Sequence, residues 1–322
     1  MKHQSHRIRR SAAALAVTLA GGAGALGLAS TAAAHAATTT SATTYTFTTL
    51  DNQADPASNE LLGINSHNVI AGYFGIGSSM RPFRGYLLDP PYGQANYVSE
   101  NFPGSAQTQV TAINNRGDTV GFWADATHTQ RGFADWNGMF KSFTDPHTPH
   151  MAISTNQLLG INNQGVAVGF YVDAANNSHA YKVNQATGVF TAIKIPGAVS
   201  TEATGINNLG DIVGFGIDAV GNTTSWLLHG GHLTTYQFPN GRYTVALGVN
   251  DHDEIVGFYS DERSGIHGFT LKAPLGPVSH WQSIDDPNGV NTTVNGVNNV
   301  GDLVGYYMSN DLATTSGILA QP

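Results

Sequence analysis

The stretch Gly205-Ile206-Asn207-Asn208-Leu209-Gly210-Asp211-Ile212-Val213-Gly214-Phe215 decides the fold, because the chain contains six versions of it. The other versions begin at Gly63, Ala112, Gly160, Gly248 and Gly296. Consecutive copies start 43 to 49 residues apart. A period of this length is typical of repeat architectures such as solenoids and propellers. One recurring unit is therefore expected to build the chain from residue 44 to residue 322.

Each copy predicts a tight turn between two strands. With the first residue counted as repeat position 0, position 2 is Asn in all six copies, and position 5 is Gly in four copies, Asn68 in one and Asp253 in another. Gly, Asn and Asp tolerate a positive φ, and an Asn side chain can close a turn. Apolar residues on both sides make a β-hairpin the prediction. A calcium loop is the alternative, but it needs several carboxylates, and most copies have at most one.

Two further strands follow each hairpin. The third carries a polar, a small and an apolar residue in succession, as in Arg84-Gly85-Tyr86 and His179-Ala180-Tyr181. The fourth is rich in Thr and aromatic residues and ends near a proline, as in Phe190–Pro196. Four short strands in each repeat are typical of propeller blades.

The two ends of the repeat array predict a closed ring. The sixth copy stops after its third strand, at Gly317–Gln321, whereas a spare fourth strand, Tyr45–Asp51, precedes the first copy. Pairing these two segments removes exposed sheet edges, which an open solenoid would keep. The prediction is an all-β, six-bladed β-propeller of four-stranded blades over residues 44–322, with the N-terminal strand closing the last blade.

The N-terminus predicts export. A basic start, Lys2–Arg10, is followed by an apolar run from Ser11 to about Ala29 and by Ala34-His35-Ala36, the small-x-small pattern of a signal-peptidase site. We expect a cleaved signal peptide at 1–36, a flexible Thr/Ser/Ala-rich lead-in at 37–43, and a secreted, extracellular protein. An uncleaved membrane anchor is the alternative, although the run is short and interrupted by glycine.

Charge and composition restrict the partners. The chain has a net charge of −8, and loss of residues 1–36, with four basic and no acidic residues, leaves −12. Nucleic acid and anionic membranes both require a basic face, so neither is an expected partner after signal cleavage. With no Cys in the chain, stability must come from packing and ring closure. No residue spacing indicates a cofactor or a metal, and we expect neither. The expected state is a monomer.

The repeats resemble a known family. Gly-Ile-Asn-Asn-x-Gly, Val-Gly-Phe-Tyr, His179-Ala180-Tyr181 and Pro196-Gly197-Ala198 are similar to the bacterial extracellular HAF repeats, over essentially all of residues 44–322. The resemblance implies an exported repeat protein with propeller-like repeats. It implies no catalytic residues.

One face of the propeller is expected to carry a set of acids. If the first strand of each blade is innermost, the loops that follow the second and fourth strands share one face, and the Asn turns lie on the other. Four Asp residues stand four positions after the Gly at repeat position 9: Asp125, Asp173, Asp218 and Asp261. The favoured interpretation is that each Asp caps its own loop. The functional interpretation is a site for a cation or for sugar hydroxyls.

One blade departs from the repeat. Fourteen residues separate Pro146 from Gly160, against nine between the other such prolines and the next copy. The surplus contains His147 and His150, and the neighbouring loop holds the remaining members of a predicted ligand-facing patch: Trp123, Asp125, His128 and Arg131. A stretch that breaks its own repeat is a place to look for function. A drifted surface loop is the alternative, and His-x-x-His alone is a weak zinc signal.

Two function hypotheses follow. The first is a non-catalytic binding or scaffold propeller for a glycan or another extracellular or cell-envelope partner, such as a protein. Trp123, Tyr171 and Tyr259 could stack on sugar rings, or pack in the core between blades. The second is a polysaccharide hydrolase or lyase with its site at the channel mouth, because scattered acids leave a two-carboxylate site open.

Overall fold

The chain forms a six-bladed β-propeller in a computed structural model that describes residues 42–151, 153–272 and 280–322. Six four-stranded antiparallel sheets make up the blades, which confirms the predicted fold class. The predicted signal peptide at 1–36, and all of the lead-in except its last two residues, lie outside the described residues.

The strands follow one another blade by blade. The strand that precedes the repeats is β1 (Thr46–Thr49). Blade one comprises β2 (Asn59–Ile64), β3 (Ile70–Phe74), β4 (Arg84–Leu88) and β5 (Tyr97–Ser99), with a short 3₁₀ helix at Gln94–Asn96. Blade two comprises β6 (Gln107–Ile113), β7 (Thr119–Ala124), β8 (Gln130–Trp136) and β9 (Met139–Phe143). Blade three comprises β10 (Asn156–Ile161), β11 (Val166–Val172), β12 (Ser178–Asn184) and β13 (Val189–Ala192). Blade four comprises β14 (Ala198–Ile206), β15 (Ile212–Asp218), β16 (Thr223–His229) and β17 (His232–Tyr236). Blade five comprises β18 (Tyr243–Val249), β19 (Ile255–Ser260), β20 (Ile266–Lys272) and β21 (His280–Ile284). Blade six comprises β22 (Val290–Val297), β23 (Leu303–Met308) and β24 (Thr315–Gln321), together with β1.

The Asn-x-x-Gly turns have the predicted geometry. In blade four, Oδ1 of Asn207 accepts hydrogen bonds from the backbone N–H groups of Leu209 at 3.0 Å and Asp211 at 2.9 Å. Gly210 has φ +91°, and the two non-glycine residues at the same repeat position, Asn68 and Asp253, have φ 63° and 57°. The prediction that repeat position 5 is left-handed is therefore confirmed, and each motif is a hairpin turn.

The same asparagines also join neighbouring blades, which was not predicted. Nδ2 of Asn207 donates to the backbone oxygen of Asn250 in blade five at 3.1 Å. Equivalent bonds run between the turns of successive blades: Asn65 to Asn114, Asn114 to Asn162, Asn162 to Asn207, and Asn250 to Asn298. The ring closes where Asn298 donates to the side chain of Asn68 at 2.8 Å. One side chain thus shapes its own turn and fastens the next blade.

The first strand of each blade lies innermost, as predicted. Repeat position 0 is glycine in five of the six blades and Ala112 in the other. Glycine there lets these strands approach one another closely, since a Cβ placed on Gly205 would lie 3.1 Å from the Cα of Gly248 and 2.8 Å from the backbone oxygen of Leu247. Real Cβ atoms essentially never come within 3.0 Å of another heavy atom. Glycine therefore fixes how tightly the blades meet around the axis.

Ring closure by the N-terminal strand is also confirmed. β1 pairs antiparallel with β24, with Thr46 opposite Gln321 and Thr49 opposite Ile318. Beyond the strand, the backbone N–H of Leu50 donates to Gly317 at 2.9 Å, and Oδ1 of Asp51 accepts from the backbone N–H of Gly317 at 3.0 Å.

The core lies between blades rather than in one central cluster. Val168 of blade three packs in a buried cluster with Ala203 and Trp226 of blade four, and Trp226 is fully buried. Burying one large apolar side chain contributes about 1.5–3 kcal/mol, and in this cluster the burial requires residues of two neighbouring blades. The part of the chain that the structure describes contains no helix of the length and apolarity needed to span a bilayer.

Candidate functional site

Each of the four predicted aspartates caps its own loop. Oδ1 of Asp218 accepts from the backbone N–H groups of Val220 and Asn222, both at 2.9 Å. Oδ1 of the other three accepts in the same way from the residues two and four positions further on: Asp125, Asp173 and Asp261. Hydrogen bonds from Asn222 lower the pKa of Asp218. The capping interpretation is confirmed.

The second carboxylate oxygen of these aspartates has partners as well. Oδ2 of Asp125 accepts from Nη1 of Arg131 at 2.8 Å, and Oδ2 of Asp173 is 2.8 Å from Nε2 of His179. Hydrogen bonds from Thr127 and Arg131 hold the pKa of Asp125 well below its usual value. Ligand binding by these carboxylates remains a prediction.

Trp123 is part of a packed aromatic stack. Its ring lies parallel to that of Phe102 from blade one, with centroids 4.5 Å apart and planes 1° apart. The guanidinium of Arg131 lies 5.0 Å from the Trp123 centroid, and Trp123 Nε1 donates to Ser142 Oγ at 3.1 Å. These contacts support the core interpretation of Trp123.

Blade five repeats this arrangement. Phe238 from blade four lies parallel to Tyr259, with centroids 3.6 Å apart and planes 3° apart, and His267 stacks on Tyr259 at 5.2 Å. Phe102 and Phe238 occupy equivalent positions at the end of a fourth strand, just before a proline. Each fills a niche whose walls are two aromatic residues: Phe133 and Phe140 around Phe102, and Phe269 and Trp281 around Phe238.

The structure divides the predicted patch of blade two. Trp123, Asp125 and Arg131 lie together in the first stack. His147 lies instead beside Tyr171 of blade three, with ring centroids 6.2 Å apart. Its Nδ1 is 2.9 Å from Oδ1 of the buried Asp145.

The two remaining histidines of the patch are exposed. His128 stands at φ 66° in the turn that Asp125 caps, and its backbone N–H donates to Asp125 O at 3.0 Å. His150 lies in the surplus segment.

The surplus segment is partly anchored. Thr148 is only 6% exposed, and its hydroxyl lies 3.2 Å from the side-chain amide of Asn156. Ser154 Oγ donates to the backbone oxygen of Pro149 at 2.6 Å. The segment is therefore more than a loose loop.

A pocket opens where the ring is closed, between blade six and blade one. We call it the seam pocket. Its volume is about 440 Å³, and its lining includes Asn52, Phe74, Arg84, Tyr86 and Tyr97. Phe74 and Arg84 are cross-strand partners, as Trp123 and Arg131 are in blade two. Asn52 occupies the position after β1 that Phe102 occupies after β5. The seam pocket therefore lacks the aromatic ring that fills the equivalent niche of blade two.

The walls of the seam pocket match the walls of the filled niches. Tyr86 and Tyr97 correspond by strand register to Phe133 and Phe140. The rings of Phe74 and Tyr86 are 6.4 Å apart and nearly parallel, and Tyr97 meets Tyr86 edge-on at 4.9 Å. The seam pocket is thus an aromatic niche without its aromatic occupant.

Arg84 keeps free hydrogen-bond donors beside this niche. Arg84 donates through Nη1 to the backbone oxygen of Ala106 at 3.3 Å, and it pairs with no carboxylate among the described residues. The buried hydroxyls of Tyr86 and Tyr97 have no hydrogen-bond partner in the described part of the chain. Burial raises the pKa of both hydroxyls, so both stay protonated.

The seam pocket was not predicted from the sequence. The sequence did contain a signal for it. Phe102 and Phe238 each follow a fourth strand, whereas the equivalent position after β1 is Asn52, which is not aromatic. This difference predicts a pocket only if one knows that the side chains of Phe102 and Phe238 pack against rings of the next blade.

The axial cavity is smaller and holds one acid among its lining residues. It measures about 100 Å³ and is lined by first strands and Asn turns from all six blades. Asp251 accepts hydrogen bonds at Oδ2 from Nδ2 of Asn208 at 2.9 Å and Nδ2 of Asn299 at 2.8 Å. Burial opposes ionisation of Asp251, but these bonds outweigh it and lower its pKa.

Comparisons with known proteins identify the fold. No protein-family model and no curated protein matches the chain. A solved structure of a putative TolB from Agrobacterium tumefaciens is similar with a TM-score of 0.57 and 12% identity, covering 83% of this chain and 91% of that one. The SapL1 lectin in complex with alpha methyl fucoside gives a TM-score of 0.49 and 11% identity, over 81% of this chain and 92% of that one. A gluconolactonase from Xanthomonas campestris gives 0.49 and 10%, over 86% and 90%.

Proposed function

We propose that the protein is an exported, non-catalytic binding propeller of the HAF-repeat type, and that it recognises a carbohydrate in the seam pocket. The observation that carries the proposal is the empty aromatic niche formed by Phe74, Tyr86 and Tyr97. Its volume falls within the range of about 300–1,000 Å³ that is usual for small-ligand sites.

The filled niches indicate how a ligand would sit. In blade five, the ring of Phe238 lies flat on Tyr259. A flat ring of similar size in the seam pocket would lie on Phe74 in the same way, edged by Tyr97. The apolar face of a sugar ring meets this requirement, and so does an aromatic side chain.

The polar groups favour the sugar. Asn52, Arg84, Ser99 and Asn101 line the pocket beside the aromatic residues. Arg84 makes one hydrogen bond to the backbone and pairs with no carboxylate among the described residues, and sugar hydroxyls and carboxylates accept bonds from a guanidinium. An apolar floor with a few convergent polar groups is the general form of a small-molecule site.

A hydrolase has less support. The residues that line the seam pocket include no carboxyl group, and those of the axial cavity include only Asp251. Glycoside hydrolysis generally uses a pair of carboxylates on either side of the scissile bond. The two cavities therefore favour binding over cleavage.

The proposal is tested by filling the niche. The purified chain is applied to a glycan array, and the best carbohydrate is titrated against four proteins: wild type, Asn52→Phe, Phe74→Ala and Trp123→Phe. Asn52→Phe supplies the missing occupant, so it should fold and lose binding. Phe74→Ala should weaken binding at least about tenfold, or about 1.4 kcal/mol. Trp123→Phe alters the matched ring that Phe102 already covers, and it should bind as the wild type does.

Three results would overturn the proposal. One is an array without carbohydrate binding, and another is undiminished binding by folded Asn52→Phe. The third is binding only to peptides with aromatic side chains, which would make the seam pocket a protein-docking site. Export is tested separately by N-terminal sequencing of the protein from the culture medium. The secreted chain should begin at Ala37.

A further inference from the structure

The opposite face of the propeller carries a cluster of metal-binding groups between blades four and five. Asp211 follows the turn glycine of blade four, His229 ends β16 in the same blade, and Asp253 lies in the turn of blade five. One ligand atom from each lies within 4.8 Å of the other two. No other group of three potential ligands with this geometry occurs in the described part of the chain.

The cluster holds negative charge without enough donors. Nδ1 of His229 is 2.9 Å from Oδ1 of Asp211, and Oδ2 of Asp211 accepts from Nδ2 of Asn207 at 3.0 Å. Oδ1 of Asp253 is buried and has no hydrogen-bond partner among the described residues. A buried carboxylate oxygen without a donor is unfavourable, and the neighbouring Asp211 adds like-charge repulsion.

The other blades lack this combination. Repeat position 5 is Asp only in blade five, and is otherwise Gly or Asn68. The place that His229 occupies at the end of a third strand is taken in blade five by Lys272, which lies 3.5 Å from Glu254, and in blade six by Gln321, which donates to Asp302 at 3.3 Å. In those two blades the last residue of the third strand contacts the acid after the turn, as His229 contacts Asp211, but the turn of the next blade supplies Gly301 or Asn68 in place of a second carboxylate.

We propose that Asp211, His229 and Asp253 bind one divalent transition-metal ion, with Zn²⁺ as the best fit. Two carboxylates and one imidazole are ligands that zinc accepts, and three protein ligands leave a position for water. Ligand distances of about 2.0–2.2 Å require donors roughly 3.4 Å apart. The side chain of His229 is 58% exposed, so it can shift to reach this spacing while the buried Asp211 stays in place.

Binding changes the mechanics of the site. The ion takes the lone pair of neutral His229 at Nδ1, and the ring proton then lies on Nε2. The ion then joins the turn of blade four to the turn of blade five, next to the hydrogen bond from Asn207 to Asn250. An ion that binds only the folded chain raises the stability of the fold.

The test uses the full purified chain without a histidine tag, stripped with EDTA and titrated with ZnCl₂ by calorimetry. Wild type should bind one Zn²⁺ per chain and melt at a higher temperature with the metal. Asp253→Asn and His229→Asn should each lose on the order of 100-fold or more in affinity, since even residues that only support a ligand are worth 10–100-fold. Asn suits the turn, because Asn68 occupies the equivalent position at φ 63°.

His267→Asn is the matched control. His267 also lies between two aspartates, but through opposite ring nitrogens, with Nδ1 2.7 Å from Asp285 and Nε2 3.5 Å from Asp261. One ion cannot use both contacts, so this variant should bind zinc as the wild type does. Metal-free melts of Asp253→Asn and His229→Asn report whether each variant folds. The proposal is wrong if wild type binds no Zn²⁺, if the two cluster variants bind it undiminished, or if Ca²⁺ binds in place of Zn²⁺.

Discussion

Nδ2 of Asn207 donates a hydrogen bond to the backbone oxygen of Asn250, 3.1 Å away in the next blade, while Oδ1 of the same amide accepts from two N–H groups of its own turn. Asn207 is 3% exposed. Local turn shape and the contact between blades therefore depend on one buried side chain.

Asn207→Ala should destabilise the fold by about 2–4 kcal/mol, because it leaves buried donors and acceptors without partners. Leu209→Ala, in the same turn but 66% exposed, is the control and should change the free energy of unfolding by less than about 0.5 kcal/mol. Urea unfolding of both variants measures the difference. Equal effects would mean that the side-chain amide of Asn207 has no special role.

Gly210→Val should destabilise by about 1–3 kcal/mol, because a β-branched residue is strained at φ +91°. Gly210→Asn should have little effect, since Asn68 adopts the same conformation. A Cβ at Gly210 would have no neighbouring atom within 4 Å, so steric crowding does not contribute to the difference between the Val and Asn variants. Equal damage from the two substitutions, measured by urea unfolding, would contradict the assignment of the turn.

A chain that starts at Ala54 lacks β1 and leaves β24 as an open edge. It should lose cooperative unfolding or aggregate, because unpaired edges attract other chains. Thermal melts and light scattering, compared with a chain that starts at Thr43, measure this. An unchanged melt would show that ring closure contributes little to stability.

Glu202→Gln should raise stability more at pH 8 than at pH 5. Glu202 is buried, Ser178 donates to its Oε1 at 2.9 Å, and Oε2 has no partner among the described residues. Burial raises its pKa from 4.5 to about 8. The stability linked to the bound proton is therefore fully present below about pH 4.5 and is lost as pH rises to about 8, at up to about 1.4 kcal/mol per pH unit.

Glutamine already stands at the equivalent positions of blades two and three, Gln109 and Gln157, so the substitution should fit at position 202. Melting temperatures of wild type and variant across pH 4–9 should diverge as the pH rises. Parallel curves would mean that Glu202 ionises normally in the folded chain.

His147→Ala tests the irregular blade. A point substitution is preferable to deleting the surplus segment His147–Met151. The deletion would remove the buried Thr148, and a fall in binding would then not distinguish a lost contact from lost structure. The side chain of His147 is 77% exposed, and its removal should leave the melting temperature within about 2 °C of wild type. If the predicted patch binds the ligand, affinity should fall in this variant; unchanged affinity would leave the seam pocket as the site.

The repeat made the fold predictable. Position 5 of each copy identified the left-handed turn residue, and the spare strand at Tyr45–Asp51 identified the closing pair. The sequence could also assign Asp125 and its equivalents to loop capping, because an Asp side chain bonds to its own loop and the contact is local.

Contacts between blades could not be predicted from the sequence. The niche of the seam pocket depends on a ring that crosses from one blade to the next, and Asp211 and Asp253 are brought together by turns of two different blades. The distance between residues of two different blades depends on how the blades pack, and local sequence propensities do not determine it. The residue type of Trp123 suits a sugar and predicts a place in the patch, but Phe102 covers its ring in the structure.

The pairing of β1 with β24 has a consequence for the order of events during synthesis. Thr46–Thr49 belongs to the first part of the propeller to leave the ribosome, and its partner, Ile318–Gln321, is the last. The sixth blade cannot be completed until Gln321 has emerged, so a nascent chain that has not reached this residue lacks a finished ring.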